Sequence, residues 1–196
     1  MAGMKSMSLA EAIERIKKFP TKYAALAAIG VTTGCRISEI LALRRFDLIS
    51  AESTFKDRIS FLKLKSKKDK TRKLIIPKDF QKFIIKQLNE EARKGYERPD
   101  DFVFRGKNGQ KLSRYAVYHF FRVNLGVGYG THWMRKTFAQ LLFKYFLAEN
   151  KADPMRALEL TRQALGHEQI DTTIKYLGIN EQMIDDAQNS IFIIKN

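Results

Sequence analysis

The spacing of apolar side chains changes several times along the chain, and each change predicts a different structural element. In "SLAEAIERIKKF", Leu9, Ile13 and Ile16 recur at helical spacing. Ser8, followed three residues later by Glu11, matches the capping pattern of a helix N-terminus. This stretch therefore predicts a first helix.

The period changes twice after that helix. The Ala-rich stretch "KYAALAAIGVTTG" and the following "RISEILAL" predict two short helices that meet at Gly34. The alternation in "RISFLKLK", the polar turn "SKKDKT" and the return "RKLIIP" then predict a β-hairpin with a lysine-rich tip. From "KDFQKFIIKQL" onward the pattern is mostly helical, apart from "DFVF" and two loops, "RGKNGQK" and "NLGVGYGT". The pattern predicts an α+β fold that is mostly α-helical with a small antiparallel β-hairpin or sheet.

Composition narrows the class of partner. The 196 residues, 44% of them hydrophobic, are enough for the core of one domain. Lys and Arg number 36 against 21 Asp and Glu, a formal charge of +15, which favours a polyanion such as nucleic acid.

No apolar run approaches the roughly 20 residues of a membrane-spanning helix, and no signal peptide opens the chain, so we expect a cytoplasmic protein without a membrane partner. Cys35 is the single cysteine and the three histidines are scattered, so we expect neither a disulfide nor a bound metal.

The stretch "YGTHWMRKTF" carries the first candidate chemistry. His132 and Arg135 lie three residues apart and share a face if the segment is helical. An imidazole can handle a proton while a guanidinium binds two anionic oxygens, a combination suited to a transferring phosphoryl group. Gly130 and Thr131 precede them as a predicted helix entry, with Thr131 as N-cap and the helix starting at His132. Backbone amides at such a start favour an anion.

Three further stretches extend this pattern: "TGCRISEILAL", "LGH" and "DTTIKYLGI". Together with "HWMRKTFA" they resemble the tyrosine recombinases, the phage integrase family of site-specific DNA recombinases, over residues 8 to 185. The family motifs, in their order, fall on Arg36 with the acidic Glu39 three residues later, on His132 and Arg135, on His167, and on the nucleophilic Tyr176 nine residues after it.

A second H-x-x-R match, His119 and Arg122 in "HFFR", lacks the T-F-A continuation of the family motif. Its apolar neighbours are predicted to pack in the core, so we interpret this pair as structural.

The resemblance implies a mechanism without metal or cofactor. The oxygen of Tyr176 would attack a DNA phosphate and store the bond energy as a 3′-phosphotyrosyl ester, so that rejoining the strand needs no ATP. Arg36 and Arg135 would bind the nonbridging oxygens and stabilise transition-state charge. His132 and His167 could donate hydrogen bonds to the phosphate or accept the tyrosine proton, and the sequence does not assign the two roles.

The family also uses a lysine on the β-hairpin to protonate the leaving 5′ oxygen. The tip offers several candidates, and Lys68 fits best because it precedes the closing Pro77 by nine residues. The length of the turn can shift this alignment, so the choice among the lysines stays open. The other basic residues of the hairpin are predicted to bind DNA: Lys65, Lys67, Lys70 and Arg72.

The chain departs from the family pattern at two places. Arg135 and His167 are 32 residues apart, a longer gap than expected, which we assign to a lengthened helix pair with Pro154 at a helix start. Only 35 residues precede Arg36. We therefore expect residues 1–196 to form a single catalytic domain without an N-terminal core-binding domain, either a fragment or a minimal recombinase like the short DNA invertases. The tail 180–196 contains the apolar run "IFII" just before its last two residues.

The apolar tail is expected to be buried, either on the protein's own sheet or in a neighbouring subunit. Docking into a neighbour is favoured, so we expect self-association into a dimer or tetramer on DNA. The charge and the family resemblance both indicate double-stranded DNA as the partner. Two rival functions share parts of the pattern: a type IB topoisomerase and a non-catalytic DNA-binding regulator. The target sequence, and the choice among integration, excision, inversion and dimer resolution, stay open.

Overall fold

The computed structural model describes residues 5–62, 71–149 and 153–178. The chain falls into two compact units that divide after residue 138, inside a long helix. Among the described residues, helices predominate and a single two-stranded antiparallel sheet is present. The predicted mostly α-helical α+β fold is confirmed.

The first unit opens with two helices set by local sequence signals. Helix α1 spans Leu9–Lys18, and the Ser8 hydroxyl accepts a hydrogen bond from the Glu11 amide at 3.2 Å, as the capping pattern predicted. Helix α2 spans Thr21–Thr33 and is buried along most of its length, because its alanines allow close packing against its neighbours. Gly34 ends α2 in the left-handed conformation (φ 61°), and residues 34–36 separate it from the next helix, which was predicted to meet it there.

Helices α3 (Ile37–Leu41) and α4 (Arg45–Leu48) follow and pack against the sheet. The predicted hairpin is present as β1 (Ile59–Leu62) and β2 (Thr71–Leu74), with Phe61 opposite Arg72 in the register. The residues between the strands, 63–70, lie outside the described residues.

Two further helices complete the core of this unit. Helix α5 spans Lys78–Ala92 and packs against α2, and helix α6 spans Arg114–Leu125. The "DFVF" stretch contributes an isolated bridge between Arg44 and Phe102 and two buried core side chains, Val103 and Phe104.

Helix α7 spans Trp133–Glu149 and contains the division between the units. In the second unit, α8 spans Pro154–Leu165 and packs against α9, which spans Ile170–Leu177. Pro154 occupies the first turn of α8 after the capping Asp153, as predicted. Among the residues described, no helix is both long and apolar enough to cross a membrane.

Candidate active site

Arg36 lies at the turn between α2 and α3, where its position is fixed by the helix that follows. It is the N-cap residue of α3, and its backbone N–H donates to Glu39 Oε2 at 2.8 Å. Its guanidinium lies 3.3 Å from Glu39 Oε1, and its side chain is 30% exposed, whereas the Glu39 side chain is only 1% exposed. The carboxylate therefore holds both the backbone and the side chain of Arg36 while the guanidinium keeps access to solvent.

Arg72 contacts the same carboxylate from the sheet. Its Nη2 lies 3.5 Å from Glu39 Oε2 and donates to Cys35 Sγ at 3.4 Å. The side chain is 11% exposed, so most of it faces inward. Its predicted contact with DNA stays a prediction, but the described contacts place its guanidinium against Glu39. The register of the sheet explains this orientation, because Arg72 opposes the buried Phe61 and side chains of opposed residues project to the same face.

Cys35 directly precedes Arg36 in the chain and contacts Arg72 through its sulfur. Burial raises the pKa of its thiol to about 11, and the nearby charge of Arg72 only partly opposes that shift. The thiol is therefore neutral at physiological pH. It serves as a weak acceptor for Arg72 instead of a nucleophile.

Arg135 reaches the same turn from α7. Its side chain is buried, with 3% exposure for the residue, and Nη1 donates to the carbonyl of Gly34, two residues before Arg36. The helix can approach this closely because α2 presents glycines to it: a Cβ on Gly30 would lie 2.8 Å from the Cβ of Met134. The two arginines predicted to bind phosphate are thus both attached to the α2–α3 turn.

His132 immediately precedes α7, which begins at Trp133, one residue later than predicted. Its carbonyl accepts the Lys136 amide at 2.9 Å, and its side chain is half-buried. Trp133 is fully buried and packs edge-on against Phe121 with ring centroids 5.6 Å apart. Burial of Trp133 therefore fixes the start of the helix while His132 stays at the surface of the core.

The second H-x-x-R pair lies elsewhere, on α6. The side chain of His119 is exposed, and Arg122 is half-buried with its guanidinium 3.5 Å from the Gly126 carbonyl. The apolar neighbours of the pair do belong to the core or pack against it, as predicted. Arg122 therefore supports the end of α6, whereas His119 is a surface residue.

In the second unit, His167 and Tyr176 lie together. His167 follows Gly166, which ends α8 in the left-handed conformation, and its ring is held by Thr173, whose Oγ1 lies 3.0 Å from Nδ1. Arg162 donates from Nη1 to the His167 carbonyl at 2.7 Å. The imidazole meets the Tyr176 ring edge-on with centroids 5.6 Å apart. The nine-residue spacing thus places the two residues side by side through the α8–α9 turn.

Comparison with known protein families gives a match to the phage integrase family over residues 4–183. The chain belongs to this family. Comparison with curated protein sequences found no significant match.

Solved structures of tyrosine recombinases share the fold of this phage integrase family member. XerH recombinase in a post-cleavage complex with palindromic difH is 23% identical, with a TM-score of 0.67, and the match covers 94% of this chain and 52% of that one. XerA recombinase is 20% identical, with a TM-score of 0.67 and coverage of 98% and 67%. A lambda integrase dimer bound to a COC′ core site is 14% identical, with a TM-score of 0.58 and coverage of 90% and 49%. The chain therefore spans between about half and two thirds of the length of these structures.

Several residues assigned from the family pattern lie outside the described residues. These are the hairpin-tip lysines, comprising the predicted general acid and three predicted DNA contacts: Lys68, Lys65, Lys67 and Lys70. The apolar tail also lies outside them. Within the ranges that the structure describes, no group of three His, Cys, Asp or Glu side chains could hold a metal ion.

Proposed function

We propose that this protein is a site-specific DNA recombinase of the tyrosine type, which cleaves and rejoins DNA through a 3′-phosphotyrosyl intermediate at Tyr176. The observation that carries the proposal is at the α2–α3 turn: Arg36 lies in this turn, and Arg135 donates a hydrogen bond to the carbonyl of Gly34 in the same turn. Two guanidinium groups at one turn can bind the nonbridging oxygens of one phosphate and stabilise its transition-state charge. Membership of the phage integrase family supports the same reaction.

The roles of the remaining residues follow from this reaction. His132 and His167 would bind the phosphate or handle the proton of Tyr176, and Lys68 would protonate the leaving 5′ oxygen. Thr173 supports the role of His167, because its hydroxyl bonds Nδ1 and holds the imidazole in one orientation. The substrate would be double-stranded DNA, which the charge of +15 favours, and the site of action would be the cytoplasm.

The first test is covalent trapping. The purified protein would be incubated with DNA from its own genomic neighbourhood, the attached ends would be sequenced, and a nicked suicide substrate would be built on the site found. Denaturing gels should then show a shifted protein band that disappears in Tyr176→Phe. Tyr145→Phe is the matched control, because Tyr145 also lies in the second unit but is 57% exposed on α7, and this variant should still be trapped.

The outcomes separate the rival functions. If Tyr176→Phe still forms the covalent complex, the assignment of the nucleophile is wrong. Relaxation of supercoiled DNA by a monomer, without strand transfer between two DNA molecules, would indicate a type IB topoisomerase. Binding of DNA without any covalent complex in the unaltered protein would indicate a non-catalytic regulator.

A further inference from the structure

The chain segment that precedes α1, residues 5–7, is bonded on both sides of His132. The Lys5 amide donates to the Gly128 carbonyl at 3.1 Å, and the Met7 amide donates to Thr137 Oγ1 at 3.0 Å. Gly128 lies four residues before His132, and Thr137 lies five residues after it. One short segment therefore connects the loop that leads into the candidate active site with the helix that leaves it.

The bond to Thr137 lies in the core of the first unit. Thr137 has no exposed surface and Met7 is 5% exposed. A buried amide that loses its acceptor cannot be compensated by water, so this contact is costly to break. Thr137 is also two residues after Arg135 on α7, which places the two side chains about 200° apart around the helix. The N-terminal part of α7 is thus held from opposite sides, by Gly34 through Arg135 and by the segment through Thr137.

The bond to Gly128 supports a loop that has little conformational constraint of its own. Gly126 and Gly128 have φ values of 89° and 93°, a region that glycine adopts without strain. The stem of Lys5 lies on Gly128, where an added Cβ would be 3.0 Å from Lys5 Cγ. The loop before His132 is therefore shaped by a contact with the N-terminal segment.

We propose that residues 5–7 and Thr137 form a positioning element that sets the place of His132 for the DNA cleavage step. The proposal rests on the proposed function for the reaction, and on the two hydrogen bonds for the positioning. Thr137 contacts neither substrate nor reacting atoms in this scheme. It acts through the start of α7, so its loss should slow the chemical step more than it weakens DNA binding.

The first experiment compares Thr137→Val with Thr137→Ser. Valine has nearly the shape of threonine but accepts no hydrogen bond, whereas serine keeps the acceptor. With saturating suicide substrate, Thr137→Val should form the covalent complex about tenfold more slowly, because small displacements of catalytic groups are costly. Its Kd for DNA should change less than about twofold, and Thr137→Ser should recover a rate within about threefold of the unaltered protein. Equal rates for the valine and serine variants would overturn the proposal.

The second experiment tests the other bond and does not depend on activity. Lys5→Pro and Lys5→Ala both lose the side chain, but only proline loses the amide hydrogen that Gly128 accepts. Hydrogen exchange measured by mass spectrometry should rise over residues 126–134 in Lys5→Pro and in Thr137→Val, and stay unchanged in α5. An increase spread evenly over the first unit, or no increase, would refute the positioning element. If the unaltered protein traps no DNA, the proposed function fails while the exchange result still decides the role of the segment.

Discussion

The carboxylate of Glu39 offers the most direct test of how the candidate site is held together, because two arginines share it. Glu39→Gln keeps the size of the side chain and removes its charge. The amide oxygen can still accept the Arg36 backbone N–H that now bonds the carboxylate at 2.8 Å. The guanidinium groups of Arg36 and Arg72, which lie 3.3 and 3.5 Å from the carboxylate oxygens, would then lose the negative charge that they share.

The expected loss of stability is set by burial more than by distance. Unit charges at these separations attract by about 5 kcal/mol each at an effective dielectric constant of about 20, before the cost of desolvation is subtracted. Removing one partner of a buried ion pair costs about 3–5 kcal/mol in measured cases. Arg36 is 30% exposed and is screened by solvent, which favours the lower end. We therefore expect Glu39→Gln to lower the free energy of unfolding by about 3 kcal/mol.

Urea unfolding followed by fluorescence measures this loss, because Trp133 is the only tryptophan and is fully buried. Glu14→Gln is the matched control: Glu14 and Lys17 are only 2.8 Å apart, a shorter distance than either contact of Glu39, but their side chains are 61% and 55% exposed. The control should unfold at the same urea concentration as the unaltered protein. If both variants lose stability equally, or neither does, the assignment of a buried cluster at the α2–α3 turn is wrong.

Three other predictions concern packing, protonation and the tail. Gly30→Ala should destabilise the protein by about 1–3 kcal/mol in urea unfolding, because the new Cβ would lie 2.8 Å from the Cβ of Met134, whereas Gly106→Ala, with its nearest atom at 3.8 Å, should be neutral. Burial raises the pKa of the Cys35 thiol from 9.0 to about 11, so stability that is present below pH 9 is lost as the pH rises through 11. Cys35→Ala should lack this part, about 3 kcal/mol, of the fall in unfolding free energy at high pH, and an identical fall in both proteins would contradict the assignment. Deletion of residues 189–196 should leave a folded protein that binds single DNA sites without cooperative assembly, and a lower melting temperature of the isolated monomer would instead indicate that the tail packs on its own chain.

The parts of the site that the sequence predicted are those determined by local geometry. Arg36 and Glu39 lie three residues apart at a helix start, so the pattern itself brings the carboxylate back to the Arg36 amide. His167 and Tyr176 are likewise joined by one helix end and the short helix that follows. The prediction for Arg72 used only its charge. Its inward orientation depends on which residue of β1 it opposes, and a register shifted by one residue would have turned the same side chain to solvent.

The start of α7 shows why the contacts that hold the site residues in place could not be predicted from the sequence. The loop glycines and Thr131 favoured a helix that starts at His132, and these local signals were correct to within one residue. The position of that start depends on contacts far apart in sequence, because Met7 and Thr137 are separated by 130 residues and Arg135 bonds a carbonyl 101 residues before it. Nothing in the letters of "KSMS" predicts an acceptor on a distant helix. A short motif can therefore predict which side chains take part in the chemistry, whereas the contacts that hold them in place become visible only in the folded chain.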